Sequence, residues 1–344
     1  MKVACVIREL HPRKVFRIAR ARRRAVHNVF LRLESDGCVG YGEAAPNAFY
    51  NETAELVTAK LAAAASFLGG LKIRSLADIE RAWAALWPLL SPSRAAQCAV
   101  DLALWDWLAK REQIAASQLL WNQAPTSVTS FATIGLSSSE ELVEKIDELC
   151  GFPRIKLKSD AAADLGAIRY LRAHSPAMLS VDANGAWSDS TRLPALAAEL
   201  AALRVEFIEQ PLPPGEEAQL PPFQGGPFWM ADESCVTEAD VERVAASYQG
   251  FNIKLVKCGG ITPARRMLIR GQELGLKTMV GCMLESSALI AAGALLAQKT
   301  EYADLDGAWL LSDDPFRGWD FERGILSPLP EYGLGATPHG ALFD

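Results

Sequence analysis

The 344-residue sequence lacks the features that mark several classes of protein. Its seven cysteines are scattered and form no CxxC pair, which argues against a disulfide framework or a zinc site and favours reduced thiols. No apolar run approaches the roughly 18 residues that a membrane span needs, and the longest, residues 288–297, is typical of a buried helix. Residues 1–10 lack the long apolar core of a signal peptide, so we expect a cytoplasmic protein without membrane contacts.

Basic charge is also scarce. The formal net charge is −6, and the one basic cluster is the RARRR run at residues 20–24. Nucleic-acid-binding proteins generally present larger positive surfaces, so this balance argues against a nucleic-acid partner. With 50% hydrophobic and 22% charged residues, the composition is that of a globular chain, and its length suggests one large and one smaller domain.

The N-terminal third, residues 1–125, has the pattern of an α+β domain. Short apolar runs alternate there as strands, and Asp36-Gly37 between two of them predicts a hairpin turn. Helices are expected near residues 53–69, 75–90 and 93–111, and the break near 123–126 marks the end of the domain.

A strand-then-helix pattern follows over residues 126–320. It favours a modified TIM barrel of the α/β class, (β/α)7β, with helices in seven gaps and an N-terminal α+β domain. A tail at 321–344, within a Gly-, Pro- and Trp-rich stretch that follows the last strand, is expected to pack back on the first domain. Barrel strands are predicted near residues 128–133, 153–158, 178–182, 205–209, 228–232, 251–255, 277–282 and 302–306.

Ionisable residues recur where these predicted strands end. Lys156, Asp182, Glu209, Asp232 and Lys254 are separated by 26, 27, 23 and 22 residues, and each closes a short apolar run. The carboxyl ends of barrel strands surround one mouth, so these side chains should converge there. Each residue alone is better explained as a helix cap or a solvated turn residue. It is their repetition at one structural place that favours a site.

Three carboxylates in this series, Asp182, Glu209 and Asp232, would repel one another unless a cation neutralised them. A set of oxygen ligands without histidine or cysteine favours Mg²⁺, with Mn²⁺ as the alternative. Asn184, in DANG, is a candidate partner of these ligands. Glu233 directly follows Asp232, so strand alternation predicts that it points to the face opposite that of Asp232.

Two lysines share one strand. Lys156 and Lys158 are two residues apart in RIKLK, so both should face the barrel interior. Adjacent ammonium groups and a nearby cation both disfavour protonation, so we expect lowered lysine pKa values that suit general bases.

A second pair of carboxylates ends the last predicted strand. Asp304 and Asp306, in YADLDG, are two residues apart and should point the same way. Such a pair suits a substrate ammonium group. The alternative is a turn in which an Asp caps the chain before Gly307.

These segments resemble the enolase superfamily and, within it, the muconate-lactonizing-enzyme subgroup. The resemblance implies that Asp182, Glu209 and Asp232 bind Mg²⁺. Lys158 and Lys254 would be the two acid/base groups, and Lys156 would assist electrostatically. Lys257 receives no role. A sister subgroup that uses a His–Asp dyad does not fit, because none of the four histidines lies at a predicted strand end. The matching pieces are GYGEAAP at 40–46, KLK at 156–158, DANGAW at 182–187, FIEQPL at 207–212, ADES at 231–234 and IKLVKCGGI at 253–261.

Within this subgroup the chain is most similar to dipeptide epimerases. In that comparison Asp304 and Asp306 would hold the substrate amine, and an arginine of the first domain would bind an acidic side chain. Arg24 is our candidate from the run that also holds Arg20, Arg22 and Arg23. The implied reaction is two-base inversion of the C-terminal residue of L-Ala-D-Glu or L-Ala-L-Glu, through an enediolate, as in murein-peptide metabolism. Further substrate contacts implied by the resemblance are Thr133, Ile134, Glu285 and Ser286.

Alternatives stay open. The o-succinylbenzoate synthases, N-succinylamino-acid racemases and muconate-type cycloisomerases share the core motifs, although their substrates lack a free amine. A barrel without catalytic activity is a remote alternative, because every expected acid and base is present. The sequence does not select an oligomeric state and is compatible with a homo-oligomer.

Overall fold

The computed structural model describes residues 1–19, 21–340 and 342–343, and its N-terminal part is a small antiparallel sheet followed by helices. Asp36 and Gly37 both have positive φ, +52° and +74°, as a tight two-residue hairpin requires. The sheet consists of β1 (Lys2–Leu10), β4 (Val26–Ser35) and β5 (Cys38–Ala44), with a hairpin of β2 (Phe16–Ile18) and β3 (Ala21–Arg23) inserted. The three predicted helices are confirmed as α1 (Ala54–Gly70), α2 (Leu76–Leu90) and α3 (Arg94–Arg111), and α4 (Ala116–Trp121) follows.

Two glycines allow β5 to lie directly on α3, which is buried along almost its whole length. A Cβ at Gly42 would lie 1.9 Å from the Ala99 carbonyl oxygen, and a Cβ at Gly40 would lie 2.1 Å from that of Ala103. No residue larger than glycine permits this approach. The GYGE segment is therefore explained by the packing of the sheet on the helix.

The second part is an eight-stranded parallel sheet in which each strand pairs with the next along the chain. Its two edges meet, because the Phe131 N–H donates to the Ala303 carbonyl at 2.8 Å. The predicted modified TIM barrel with an N-terminal α+β domain is confirmed. After the short β6 (Val128–Thr129), the barrel strands are β7 (Ala132–Ile134), β8 (Arg154–Lys158), β9 (Met178–Asp182), β10 (Val205–Glu209), β11 (Phe228–Ala231), β12 (Gly250–Lys254), β13 (Lys277–Gly281) and β14 (Tyr302–Asp304).

Helices fill six of the seven gaps between these strands. The prediction of a helix between β10 and β11 was wrong. The structure describes all of residues 210–227, and they contain only a 3-10 turn at Glu217–Gln219. Six prolines and three glycines in that segment oppose a helix. The helices present are α5 (Ser139–Glu148), α6 (Gly166–His174), α7 (Leu193–Ala202), α8 (Asp240–Val244), α9 (Leu255–Cys258), α10 (Ile261–Glu273) and α11 (Ser287–Ala297).

Aromatic side chains fill the barrel interior one layer before the charged strand ends. Phe207 lies 5.5 Å from Phe131 and 5.2 Å from Tyr302, measured between ring centroids. Phe207 is two residues before Glu209 in β10, and Tyr302 is two residues before Asp304, so each ring sits below a charge on the same face. This apolar layer closes the interior below the mouth.

The C-terminal segment forms β15 (Phe316–Arg317), β16 (Asp320–Glu322), β17 (Ile325–Ser327) and β18 (Thr337–Pro338). It contacts the first domain: the Leu334 N–H donates to Asp106 at 2.9 Å, and Arg8 donates to the Leu342 carbonyl at 2.5 Å. Ala341 and Asp344 of the predicted tail lie outside the described residues, and the boundaries near 125 and 320 stay predictions. Within the described chain, no helix combines the length and hydropathy needed to cross a membrane.

Candidate active site

A cavity of about 570 Å³ lies between the barrel mouth and the N-terminal domain. The barrel contributes most of the charged side chains, as the spacing of the strand ends predicts. The N-terminal domain contributes mainly apolar and aromatic ones. Among the lining residues are Thr133, Lys156, Lys158, Asp232, Lys254, Asp304 and Asp306 from the barrel, and Phe16, Ile18, Arg23, Phe49 and Tyr50 from the first domain.

Three buried carboxylates meet at the ends of β9, β10 and the segment after β11. Asp182, Glu209 and Asp232 each offer one oxygen, and these atoms lie within 4.8 Å of one another. Asp182 and Glu209 are direct partners in the parallel ladder, which fixes their separation. Hard divalent cations prefer such oxygen ligands, so the donor set fits Mg²⁺.

Lysines of β8 contact two members of this triad. Lys156 is 1% exposed, and its Nζ lies 3.2 Å from Glu209 and 3.7 Å from Asp182. It also forms an ion pair with Asp304. Lys158 forms an ion pair with Asp182. Both side chains therefore point into the barrel, as their spacing predicts.

The third member of the triad is held by two lysines from the other side of the barrel. Lys254, the last residue of β12, places Nζ 2.8 Å from Asp232 Oδ2. Lys257, in α9, places Nζ 2.7 Å from Asp232 Oδ1. The contact to Lys257 was missed, because β12 ends at Lys254 and the helical turn that follows brings Lys257 back to Asp232.

The carboxylates and lysines set each other's protonation. Burial alone would lower the pKa of Lys156, but Asp304, Glu209 and Asp182 raise that pKa well above its ordinary value. Burial would also lower the pKa of Lys254, but the charges of Asp232 and Glu209 raise it well above its ordinary value. The expectation of a lowered pKa is wrong for Lys156, because this lysine faces three carboxylates.

The carboxylates themselves differ. Burial raises the pKa of Glu209 to about 7, and the neighbouring charge of Asp182 adds to the rise. Burial also acts to raise the pKa of Asp232, but the ammonium groups of Lys254 and Lys257 bring it below its ordinary range. The triad thus concentrates negative charge that only cations can balance.

Amide side chains surround the triad. Asn184 donates its backbone N–H to Asp182 at 2.8 Å, and its side chain reaches Asp182 and Glu233 at 3.3 Å each. Glu233 lines the cavity, so its predicted orientation to the opposite face was wrong. The reason is that β11 ends at Ala231, after which strand alternation no longer applies.

Asn252 was missed, although its position two residues before Lys254 in one strand carried the signal. It is fully buried and donates to Glu209 at 2.7 Å. Gln210 was also missed. It follows Glu209 directly and is fully buried, and no spacing rule marks it.

The two carboxylates predicted to bind a substrate ammonium group also line the cavity. Asp304 and Asp306 are both buried, and Asp306 accepts the Thr133 N–H at 2.6 Å. The Thr133 hydroxyl lies 3.4 Å from Asp304. Burial, followed by the charge of Asp304, raises the pKa of Asp306 to about 7. A cationic ligand group would relieve this repulsion.

Three predicted substrate contacts lie outside the cavity lining as the structure describes it. Ile134 is buried and lines a separate small apolar pocket. Glu285 accepts the Met283 N–H at 2.8 Å, and Ser286 donates both its N–H and its hydroxyl to Glu43. Since Glu43 belongs to β5, Ser286 joins the barrel to the first domain.

The arginines of the RARRR run separate by position. Arg24 is exposed and outside the cavity lining, as far as the described residues go, whereas Arg23 is half-buried in β3 and lines the cavity. Arg22 is exposed, and Arg20 lies outside the described residues. Among the described arginines of the run, Arg23 is the one that lines the cavity.

Comparison with protein families identifies both halves of the chain. Residues 139–341 match the family described as enolase C-terminal domain-like, and residues 1–121 match the mandelate racemase/muconate lactonizing enzyme N-terminal domain. The chain belongs to this enolase-like family, which confirms the resemblance seen in its motifs.

Two relatives match this chain over nearly its whole length. An L-Ala-D/L-amino acid epimerase of Flavobacterium johnsoniae is 36% identical over 90% of this chain and 91% of its own length. The structure of an Agrobacterium tumefaciens enolase family member with homology to dipeptide epimerases, holding sodium and L-Ala-L-Glu, has a TM-score of 0.88 at 32% identity, covering 96% of this chain and 99% of that one.

A third protein differs in its ligand. The Methylococcus capsulatus dipeptide epimerase, complexed with Mg and L-Arg-D-Lys, has a TM-score of 0.87 at 32% identity, covering 98% of this chain and 99% of that one. Proteins of this similarity therefore hold dipeptides of opposite side-chain charge.

Proposed function

We propose that this protein is a Mg²⁺-dependent dipeptide epimerase that inverts the α-carbon of the C-terminal residue. The observation that carries the proposal is the placement of two lysines in one cavity. Lys158 ends β8 and Lys254 ends β12, and three strands separate them in the eight-stranded barrel. They therefore approach a substrate in the cavity from opposite sides. The names of the relatives support the same activity.

Asp182, Glu209 and Asp232 would hold the metal, since they form a buried set of oxygen ligands. When bound there, Mg²⁺ supplies positive charge that balances the carboxylates and stabilises negative charge developing on a substrate carboxylate.

The two lysines would exchange roles between the two directions of the reaction. In one direction, neutral Lys158 removes the α-proton, and the electron pair left on carbon delocalises into the adjacent carboxylate. The Lys254 ammonium then returns a proton to the opposite face. In the other direction, Lys254 removes the proton and Lys158 returns it. Lys156, buried among three carboxylates, would add positive charge beside the substrate carboxylate.

A free substrate amine would bind at the end of the last strand. Asp306 and Asp304 present two buried carboxylates, of which only Asp304 has a lysine partner. An ammonium group would supply the missing charge to Asp306. This favours a dipeptide over the N-acylated amino acids and other amine-free substrates of the same subgroup.

The C-terminal side chain would face the first domain. Arg23 lines the cavity, and it has no ion-pair partner among the residues that the structure describes. A guanidinium in this position suits a carboxylate, which makes L-Ala-D-Glu and L-Ala-L-Glu the proposed substrates and murein peptides their source. Arg23 replaces Arg24 in this role.

The setting of the protein is proposed from its sequence. Scattered cysteines without a CxxC pair support a cytoplasmic location. The low basic charge supports a small-molecule ligand over nucleic acid or a membrane surface. A homo-oligomer is compatible with these features.

A dipeptide screen in D₂O with Mg²⁺ tests the proposal. Mass spectrometry should show one deuterium at the C-terminal α-carbon, and chiral chromatography should show the second epimer, with L-Ala-L-Glu among the best substrates. N-succinyl or N-acetyl amino acids should exchange poorly. If they exchange better than any free dipeptide, the racemase alternative replaces the epimerase. If no compound exchanges, the barrel is not catalytic towards these classes.

A further inference from the structure

Gln210 occupies an unusual position between the three carboxylate-bearing segments. It directly follows Glu209, and its backbone adopts φ = +37°, a left-handed conformation that residues with side chains rarely adopt. Its N–H donates to the Met230 carbonyl at 2.8 Å, and its own carbonyl accepts the Gly185 N–H at 2.7 Å. The backbone of this one residue therefore ties the segment after Asp182 to the strand before Asp232.

The Gln210 side chain continues this connection. Its amide oxygen accepts the backbone N–H groups of Asp232 at 2.9 Å and Ser234 at 3.0 Å. Its amide nitrogen donates to the Leu212 carbonyl and the Ser234 hydroxyl at 2.8 Å, and to Tyr248 at 3.2 Å. Both polar atoms are saturated and the residue is fully buried, so the side chain has one available orientation.

Lys257 holds Asp232 from the opposite direction. Its Nζ donates to the Asp232 carbonyl at 2.6 Å and to Asp232 Oδ1 at 2.7 Å. The carbonyls of Cys235, at 3.0 Å, and Asn252, at 3.1 Å, anchor the same ammonium. The side chain is almost fully buried, so bulk water does not compete for these contacts.

We propose that Gln210 and Lys257 are positioning residues that clamp Asp232 and thereby set the affinity of the carboxylate triad for a divalent cation. Gln210 fixes the Asp232 N–H, and Lys257 fixes its carbonyl and Oδ1. Neither residue holds Oδ2, which lies 2.8 Å from Lys254 Nζ. The inference rests on the proposed metal site and adds residues that do not themselves bind the metal.

Position and charge predict opposite effects for Lys257. Lys257→Met removes a positive charge beside a ligand, which by Coulomb attraction alone would tighten cation binding. Loss of the clamp would weaken it. Gln210→Met removes the hydrogen bonds to Asp232 without changing the charge, so only the positional effect remains.

The test is a titration with Mn²⁺, followed by the EPR signal of the free ion, on the full-length protein. Gln210→Met and Lys257→Met should each raise the dissociation constant for Mn²⁺ by roughly 10- to 100-fold, the usual effect of removing groups that orient metal ligands. Matched controls are Gln298→Met and Lys110→Met. Gln298 is a half-buried amide that bonds Thr126 and Leu295, and Lys110 pairs with Asp106; neither side chain has a polar contact to the described residues of the triad or of α9. Both controls should bind Mn²⁺ within about twofold of the unmodified protein.

Thermal unfolding in EDTA identifies variants that fail to fold. In that case Ser234→Ala, which removes one anchor of the Gln210 amide and leaves Asp232 untouched, should still weaken Mn²⁺ binding measurably. If the unmodified protein binds no Mn²⁺, the proposed metal site fails, and with it the basis of the clamp. The clamp alone is refuted if the unmodified protein binds Mn²⁺ and the folded variants Gln210→Met and Lys257→Met bind it as tightly or more tightly. Where one of these variants does not fold, the result for Ser234→Ala takes its place.

Discussion

The barrel mouth and the domain that covers it hold their cavity-lining side chains in different ways. At the mouth, Lys156, Asp182 and Glu209 are buried on strands and have two or more polar partners each. Across the cavity, Arg23 is half-buried in a short hairpin, and Phe49 is 42% exposed. Strand-held groups cannot move without disturbing the barrel, whereas hairpin and loop residues can change at little cost. We therefore expect the barrel to fix the chemistry, and the covering domain to select the C-terminal side chain of the substrate.

The largest expected effect is on the two lysines. Lys158→Ala and Lys254→Ala should each lower net epimerisation by ~10²–10⁴-fold, because a proton can no longer be removed or returned on one face. In D₂O, each variant should exchange the α-proton of one epimer only, and the two variants should act on opposite epimers. NMR of the α-proton measures both. Near-normal epimerisation in either variant, or exchange confined to the same epimer in both, would favour a one-base reaction.

Removing the metal should act on all substrates alike. EDTA should abolish turnover and Mg²⁺ should restore it. Glu209→Gln should lower kcat by roughly 10²–10³-fold, the effect of losing a main source of transition-state stabilisation. Glu43→Gln alters a buried carboxylate that bonds Asn28 and Ser286 and is not one of the three metal ligands, so it should leave Mn²⁺ binding intact. Full activity in metal-free buffer would contradict the metal site.

The strand-eight carboxylates should act on substrates with a free amine. Asp306→Ala should lower kcat/KM for L-Ala-L-Glu by about 10- to 100-fold, since it removes a charged hydrogen-bond partner worth about 1.5–3 kcal/mol. N-acetylation of the dipeptide should cause a comparable loss in the unmodified protein and little further loss in the variant. If the two losses multiply instead, Asp306 does not bind the amine.

The raised pKa of Asp306, about 7, adds a pH dependence. Burial favours the protonated acid, so below pH 7 the side chain is increasingly neutral and attracts an ammonium less. We expect kcat/KM for a dipeptide to fall by up to about tenfold per pH unit below 7. Asp306→Asn should flatten this part of the profile. A slope that survives in Asp306→Asn belongs to another group.

The smallest effect should appear in the covering domain. Arg23→Met should lower kcat/KM for L-Ala-L-Glu by about tenfold, as expected for a partly exposed ion pair with hydrogen bonds, and leave L-Ala-L-Ala nearly unchanged. Arg24→Met is the matched control, because Arg24 is exposed outside the cavity lining described by the structure. Equal losses on both dipeptides would mean that Arg23 supports the fold and not the selection of substrate.

The regular spacing of charges along the barrel made most of the site predictable. Each strand must end at the mouth, so residues that close successive strands are brought together whatever the helices between them do. For this reason the sequence alone groups Asp182, Glu209 and Lys254. The proline-rich segment between β10 and β11 lacks its expected helix, yet the ends of both strands stay in register.

Local sequence determined the strand ends, the lysine pair of β8 and the hairpin at Asp36-Gly37, because periodicity and turn residues act over a few positions. Tertiary structure alone decided what lies outside regular strands. It turned Glu233 into the cavity, brought Lys257 to Asp232 through a helical turn, and placed Arg23, but not Arg24, in the described cavity lining. It also raised the pKa of Lys156, which the sequence predicts to be low. The orientations of Glu233 and Lys257 depend on where a strand ends, and the cavity lining and the pKa of Lys156 depend on distances between residues remote in the chain. Spacing along the sequence contains neither.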